Sequence, residues 1–393
     1  MSNSTSDFTI ALIDNISSQL NHYITLFVFI FGIIGNLLNI IVLSQPILRR
    51  NPCVFYFLGS SAASLGIILI GLPSRMIAGN VSSDPTNTSS YFCKLRIFLL
   101  YSFRTTSTWL LVFATIDRWF LSSTKIHRRR LSSHKIAYYN IIIICCLSFI
   151  LWIEAIFCYD ADIDQAPIRC YGKSNSCRIF NDIVYASSTV AIPSSLMLIF
   201  GLLTIRNINR SRRTSRVFFS PISSVGQGSS KRRRRIRRTE VSLTCMLLLQ
   251  VISLTLCSVP QAIHQFYLTF TIDMDKNPLH KAIENFIVNF NFSLTYVGNA
   301  IPFYIYTLNS TAFRQTFIRL IHSTIRQLKI YSSSILTRLI LVVRKVVRSS
   351  SILLFLYTVR AIVRQDIRAT IYLCFTFRRL RNLKVSYTQH KQQ

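Results

Sequence analysis

Apolar residues in this 393-residue chain are gathered into seven blocks of 20 or more. They run approximately Ile24 to Ser44, Cys53 to Ile77, Tyr91 to Leu121, Ile136 to Cys158, Ile183 to Ile205, Val241 to Phe270 and Asn285 to Leu308. A hydrocarbon layer about 30 Å thick is crossed by roughly 20 residues of helix. Each block therefore reads as a span, because in lipid a helix satisfies its amides within its own segment. Half of the residues are hydrophobic and 15% are charged, which fits a polytopic membrane protein better than a soluble domain. The expected fold is an all-α seven-transmembrane helix bundle over residues 24–308, flanked by residues 1–23 and 309–393. Seven spans put the two termini on opposite sides.

Basic residues orient the bundle. No Lys or Arg precedes Arg49, whereas 35 of the 45 fall in the first, second and third inner loops and after Leu308. The positive-inside rule makes that side cytoplasmic, leaving the N-terminus extracellular in a multi-pass plasma-membrane protein. Glycosylation sequons at Asn3 and Asn15, and at Asn80 and Asn87 in the first outer loop, fall on the opposite side. The net charge of +31 thus sits in loops and a tail beside the lipid bilayer, and nucleic acid is not expected as a partner. The first apolar stretch lacks a basic n-region and is long enough to span, so it is expected to act as its own signal anchor.

Ten cysteines divide by position. Cys145, Cys146, Cys245 and Cys257 lie within spans as small packing residues, and Cys53 and Cys374 lie near the inner side as free thiols. Cys93, Cys158, Cys170 and Cys177 face the oxidising side, where four cysteines allow three complete pairings. Cys93 and Arg118 stand 25 residues apart, roughly 37 Å of helix. The cysteine is therefore at the outer face and the Asp117-Arg118-Trp119 step at the inner one.

Asn36, Cys93, Asp117-Arg118-Trp119, Pro193, Cys257 with Pro260, and Tyr306 followed by Phe313 resemble the landmarks of rhodopsin-like G-protein-coupled receptors, over about Ile24 to Phe313. Within that family the general pattern is most similar to invertebrate FMRFamide-like peptide receptors. The resemblance implies a receptor that passes the signal of an extracellular ligand, a neuropeptide, to a heterotrimeric G protein. It implies no catalysis, no cofactor and no metal, and one bridge from Cys93 to the loop before the fifth span. It also implies an activation switch built from Asp117, Arg118, Glu240, Pro260 and Tyr306. Arg118 would be held by Asp117 and clasped by Glu240, 20 residues before Pro260, and release of this charge-assisted pair would free helix six. Alternatively Glu240 only relieves repulsion among the arginines between Arg232 and Arg238. Pro193 and Pro260 are expected to loosen their helices, and Asn36 to hydrogen-bond between helices.

Several positions depart from the family pattern. Ser64 replaces the helix-two aspartate, Ser258 the helix-six tryptophan, Gly201 the helix-five tyrosine, and Pro302-Phe303 the helix-seven Asn-Pro pair. They leave open a receptor-like protein that no longer couples. Leu100 and Tyr296 occupy the slots of the amine-receptor aspartate and the opsin lysine, which argues against biogenic amines and retinal. Arg104 and Glu154 are ionisable residues in the outer half of the bundle, and intramembrane charge marks a function or a partner. Arg104 would receive a ligand carboxylate or amide carbonyl beside Gln261, His264 and Gln265, or would pair with Glu154 as a structural bridge. Asp160, Asp162 and Asp164 in the outer loop suit a basic peptide such as one ending in Arg-Phe-amide.

Arg128 to Arg130, Arg212, Arg213, Arg216 and Lys231 to Arg238 offer a basic inner surface to anionic lipid and to a G protein. Ser220 to Ser230 reads as a flexible loop. Phe313 to Gln327 reads as a short amphipathic interfacial helix, and the uncharged runs of the tail beyond Ser334 are too short to span. A transporter or channel would show repeats or a line of intramembrane charge. An enzyme would show paired carboxylates, a metal-ligand cluster or a phosphate loop; neither pattern is present in the spans. A chemosensory receptor is an alternative within the same fold.

Overall fold

The structure, a computed structural model, describes residues 2–78, 89–123, 125–161, 170–218, 227–271, 274 and 276–327, with backbone alone at 2–6, 77–78, 211–218 and 227–243. Asn80, Asn87, Asp162, Asp164 and the tail after 327 lie outside the described residues, as do the side chains of Asn3 and Glu240. The chain divides into two units, Met1–Leu320 and Ile321–Gln393. Of the second, the described residues 321–327 are helical; the rest of the description concerns the first.

Eight helices form its frame: α1 (Ser2–Leu43), α2 (Cys53–Ala78), α3 (Ser90–Ser122), α4 (His134–Leu151), α5, α6 (Gln227–Phe270), α7 (Pro278–Ala300) and α8 (Pro302–Asn309). Helix α5 begins as Asn175–Val184, widens into a π-helical stretch over Tyr185–Ala191 and continues as Ile192–Phe218. The wide turn ends two residues before Pro193, whose missing amide donor already weakens the ladder there. Pro260 lies inside α6 without ending it. Among the described residues six helices are long and apolar enough to cross a membrane. The seventh crossing is divided between α7 and α8 at Ile301, because Pro302 cannot donate to the preceding turn and instead starts a new helix.

Two expected boundaries move. The first helix starts at Ser2 and is continuous with the span, there being no proline or glycine before Gly32 to break it. The fourth helix stops at Leu151 instead of running to Cys158, followed by a turn at residues 152–154 and a short helix, Ala155–Cys158. Trp152 anchors that turn. It is fully buried, stacks on Tyr101 with ring centroids 4.4 Å apart, and donates its indole N–H to Thr105 at 2.7 Å.

Helix α3 is the central element, packing against α2, α4, α5 and α6, while α1 packs on α2 and α7. Its buried side chains are largely polar: Ser102, Arg104, Thr105, Thr106, Ser107, Thr108, Thr115, Asp117 and Arg118. The outward faces are apolar, with Ile143, Leu147 and Ile150 on α4, Leu198 and Leu202 on α5, and Leu256 and Ile263 on α6 all exposed. An exposed apolar belt of this extent requires a lipid solvent.

Outside the membrane a two-stranded hairpin, β1 (Tyr159–Asp160) and β2 (Tyr171–Gly172), pairs Tyr159 with Gly172. Disulfides join Cys93 to Cys170 and Cys158 to Cys177, with Cα atoms 5.7 and 5.5 Å apart. The first is the expected bridge from Cys93 to the loop before α5; the second completes one of the three open pairings. Cys53, Cys145, Cys146, Cys245 and Cys257 are free thiols.

The bridges span 77 and 19 residues, so the chain-entropy relation gives the first the larger effect, about 4.5 against about 3 kcal/mol as upper limits. The paired replacement Cys93→Ser with Cys170→Ser is expected to lower the thermal midpoint of the purified protein more than Cys158→Ser with Cys177→Ser. A reversed order would show that the loop's local packing, not its span, sets the effect.

Candidate functional site

A cavity of about 520 Å3 opens among the outer ends of α1, α2, α3, α6 and α7, below the hairpin. Arg104 reaches it from α3. Its Nη1 donates to Gln261 Oε1 at 3.5 Å, and its guanidinium lies 5.2 Å from the ring centre of Tyr296. Thr295 also donates to Gln261 Oε1, tying α7 to α6. Tyr296 can sit beneath Arg104 because Gly71 on α2 has no side chain: a Cβ there would overlap the tyrosine hydroxyl. Gln265 donates to the Tyr101 hydroxyl at 3.4 Å, which is itself 3.4 Å from the Tyr159 hydroxyl on β1.

Arg104, Gln261, His264 and Gln265 all line this cavity. Glu154 does not. It sits in the turn after α4 and accepts from Asn181 Nδ2 at 3.5 Å, so the structural bridge from Arg104 to Glu154 does not form. The break of α4 three residues earlier, at Leu151, carries Glu154 toward α5. Arg75 on α2 lines the cavity as well, a residue that the sequence pattern does not single out. It donates to Asn21 at 3.2 Å and to Asn289 at 2.8 Å and lies 5.0 Å over the ring of Phe292. An arginine within the second apolar block was the available signal.

Below the cavity the centre of the bundle is neutral and polar. Ser107 on α3 lies 2.9 Å from Ser60 and 3.1 Å from Ser64, and Ser64 donates to Asn299 Oδ1 at 3.3 Å. Asn36 donates to the Asn299 carbonyl at 3.1 Å, which is the interhelical bond expected of it. Ser64 thus fills the aspartate slot with a hydroxyl that both helices satisfy.

At the inner end Asp117 accepts from Ser132 at 2.7 Å and lies 3.8 Å from Arg118. Arg118 donates to Asn51, in the loop between α1 and α2. Tyr306 on α8 is fully buried and donates to Gln250 on α6. Its ring also meets Phe57 and Phe313 edge-on at 5.4 and 5.7 Å. Gln250 was not foreseen; a glutamine in an apolar span needs a partner, and that is its signature. At Gly201 a Cβ would meet Leu248 at 2.7 Å, so the missing tyrosine of α5 corresponds to a close approach of α5 and α6.

On the hairpin Asp160 faces Lys173 at 3.1 Å and Lys94 at 3.9 Å. A hydrogen bond from Ser90, then that from Lys173, holds its carboxyl down at about 2. This contribution is present above the ordinary carboxylate range and is lost only as pH falls toward 2, so it is constant across physiological pH. Among the described residues no His, Cys, Asp and Glu side chains gather as a metal site.

Against this geometry, the family described as 7 transmembrane receptor (rhodopsin family) matches residues 35–306. The match reaches the family as a whole and gives no support to a nearer likeness to FMRFamide-like receptors. No curated protein matches the chain.

The Tyr306–Gln250 bond predicts a coupled pair. Tyr306→Phe alone leaves a buried amide unsatisfied and is expected to cost about 1–3 kcal/mol, whereas adding Gln250→Leu should recover part of it. Thermal unfolding of the two single variants and the double variant checks this, and strictly additive losses would count against the bond.

Proposed function

The chain belongs to the rhodopsin family of seven-transmembrane receptors, and from that premise we propose that it passes an extracellular signal to a heterotrimeric G protein. Its N-terminus is extracellular, with glycosylation at Asn3, Asn15, Asn80 and Asn87, and its basic inner loops and tail are cytoplasmic. The observation that supports this reading best is that α3 carries both ends of the device. Arg104 lines the outer cavity, and the same helix presents Asp117 and Arg118 at its inner end. The cavity volume lies within the range of small-molecule sites, about 300–1,000 Å3, and accepts a small ligand or the end of a neuropeptide.

A ligand acts here by differential affinity for two states. In the resting state the inner end of α6 is held to α8 through Tyr306 and Gln250, and to α3 through a clasp from Arg118 to Glu240. Ligand contact with Gln261, His264 and Gln265, all on the outer part of α6, favours the state in which those inner ties open. Pro260 lies beside these contacts and marks the position at which α6 yields.

The neutral Ser64 cluster motivates a second reading, a receptor-like protein that binds but no longer couples. Signalling separates the two. Glu240→Ala is expected to raise ligand-free G-protein activation at equal surface expression, and Arg118→Ala to abolish stimulated activation. Basal activation left unchanged by Glu240→Ala removes the clasp. Silence of the wild-type chain at full surface delivery, against a broad panel of extracellular ligands, favours the uncoupled reading.

A further inference from the structure

We propose that the ligand is an anion whose carboxylate is received by Arg75 and Arg104, its apolar part lying against Tyr296, Phe292 and Val288. This rests on reading the outer cavity as the receptor's ligand site. The charge around that cavity is one-sided: Arg75, Arg96 and Arg104 line it, against Asp14 as the acid of the described lining. Arg104 is only 6% exposed. Among the described residues, neither Arg104 nor Arg75 has a carboxylate within 4.0 Å.

The groups that do touch them are neutral. Asn21, Asn289 and Gln261 accept from the guanidiniums, the Tyr185 hydroxyl accepts from Arg104, and the rings of Phe292 and Tyr296 lie beneath them. These contacts orient the two forks without cancelling their charge. The Nε atoms of both arginines are buried without a hydrogen-bond partner. A lysine so placed could shed its proton, but arginine stays charged in proteins, so the remaining compensation is an anion from outside. A carboxylate fits a guanidinium fork with two parallel hydrogen bonds.

Asp14 is exposed on α1 and lies more than 4.0 Å from both guanidiniums, and the other neighbouring acids are engaged elsewhere. Glu284 is paired with Lys276 at 2.6 Å and His280 at 3.2 Å, Asp182 accepts from Thr269, Glu154 from Asn181, and Asp160 faces Lys173 and Lys94. The same charge disfavours a basic ligand end at this depth, such as the arginine of an Arg-Phe-amide peptide, because like charges would meet in a desolvated site.

The test uses the full chain purified in an uncharged detergent, with thermal unfolding as the readout of binding. Probes are matched sets of arylalkanoic acids, their primary amides and their amines, together with short peptides made as free acids and as C-terminal amides. Acids are expected to raise the unfolding midpoint saturably while their amides and amines do not. The peptide and non-peptide arms show which source supplies the carboxylate. Arg104→Gln and Arg75→Gln should each weaken acid binding about tenfold or more, and Arg104→Lys should retain part of it, which separates lost charge from lost fold. Amides or amines binding as well as acids, no acid-selective shift across the panel, or acid binding unchanged in Arg104→Gln would overturn the proposal. G-protein activation measured in parallel keeps the two readings apart. Acids that bind without activating sustain the anion site and count against coupling, whereas activation by amides or amines alone does the reverse.

Discussion

Polar side chains in this bundle find no partners in lipid, and α3 supplies many of those they find inside it. Lipid offers no hydrogen bonds, so hydroxyls, amides and charges turn inward among buried apolar residues such as Ile67, Leu110 and Leu111, while further leucines and isoleucines face out. Thr105 shows the consequence. It receives the Trp152 indole and lies 2.9 Å from Thr189, so one hydroxyl on α3 fixes the end of α4 and the wide turn of α5. Ser107 does the same for α2 and, through Ser64, for α7. The helices are thereby held in register by short contacts to a single helix.

The same constraint makes the exceptions informative. Charged side chains lie at the inner end of α3 and midway along it, and the two places are treated differently. At the inner end Asp117 and Arg118 face each other, with Ser132 bonded to the one and Asn51 to the other. Midway along the helix Arg104 is surrounded by neutral groups beside an open cavity. An inner charge with an internal counter-charge can switch between partners, whereas an outer charge with only neutral contacts has a place for something from outside. The family's usual carboxylate between them is here the Ser64 hydroxyl, so no fixed negative charge stands between the two places in this cluster.

Much of the architecture was legible because apolar length is a strong signal: the seven crossings fall where the blocks lie. Register details were less so. The break at Ile301 follows from Pro302, which the sequence displays, but the end of α4 at Leu151 depends on Trp152 stacking on Tyr101, a contact between residues about fifty positions apart. The candidate site was legible in its chemistry on α3 and α6, where Arg104, Gln261, His264 and Gln265 share one cavity. Arg75 escaped because it was read as part of an apolar block, and Gln250 because its partner Tyr306 lies 56 residues away. The Glu154 expectation failed for a local reason, since three residues of turn redirected the side chain to Asn181.

The central claim is that the inner end of α6 has two positions governed by ties to α3 and α8. The most direct measurement is the distance between spin labels at Tyr138→Cys, exposed near the inner end of α4, and at the exposed native Cys245 on α6, with Cys146, the other exposed thiol among the described residues, and Cys374 both replaced. The distribution would be recorded with and without a peptide copying the last residues of a G-protein α chain. The account predicts a second, longer-distance population that grows with the peptide and is already present in Glu240→Ala. A single distribution unchanged by the peptide and by that substitution would contradict it.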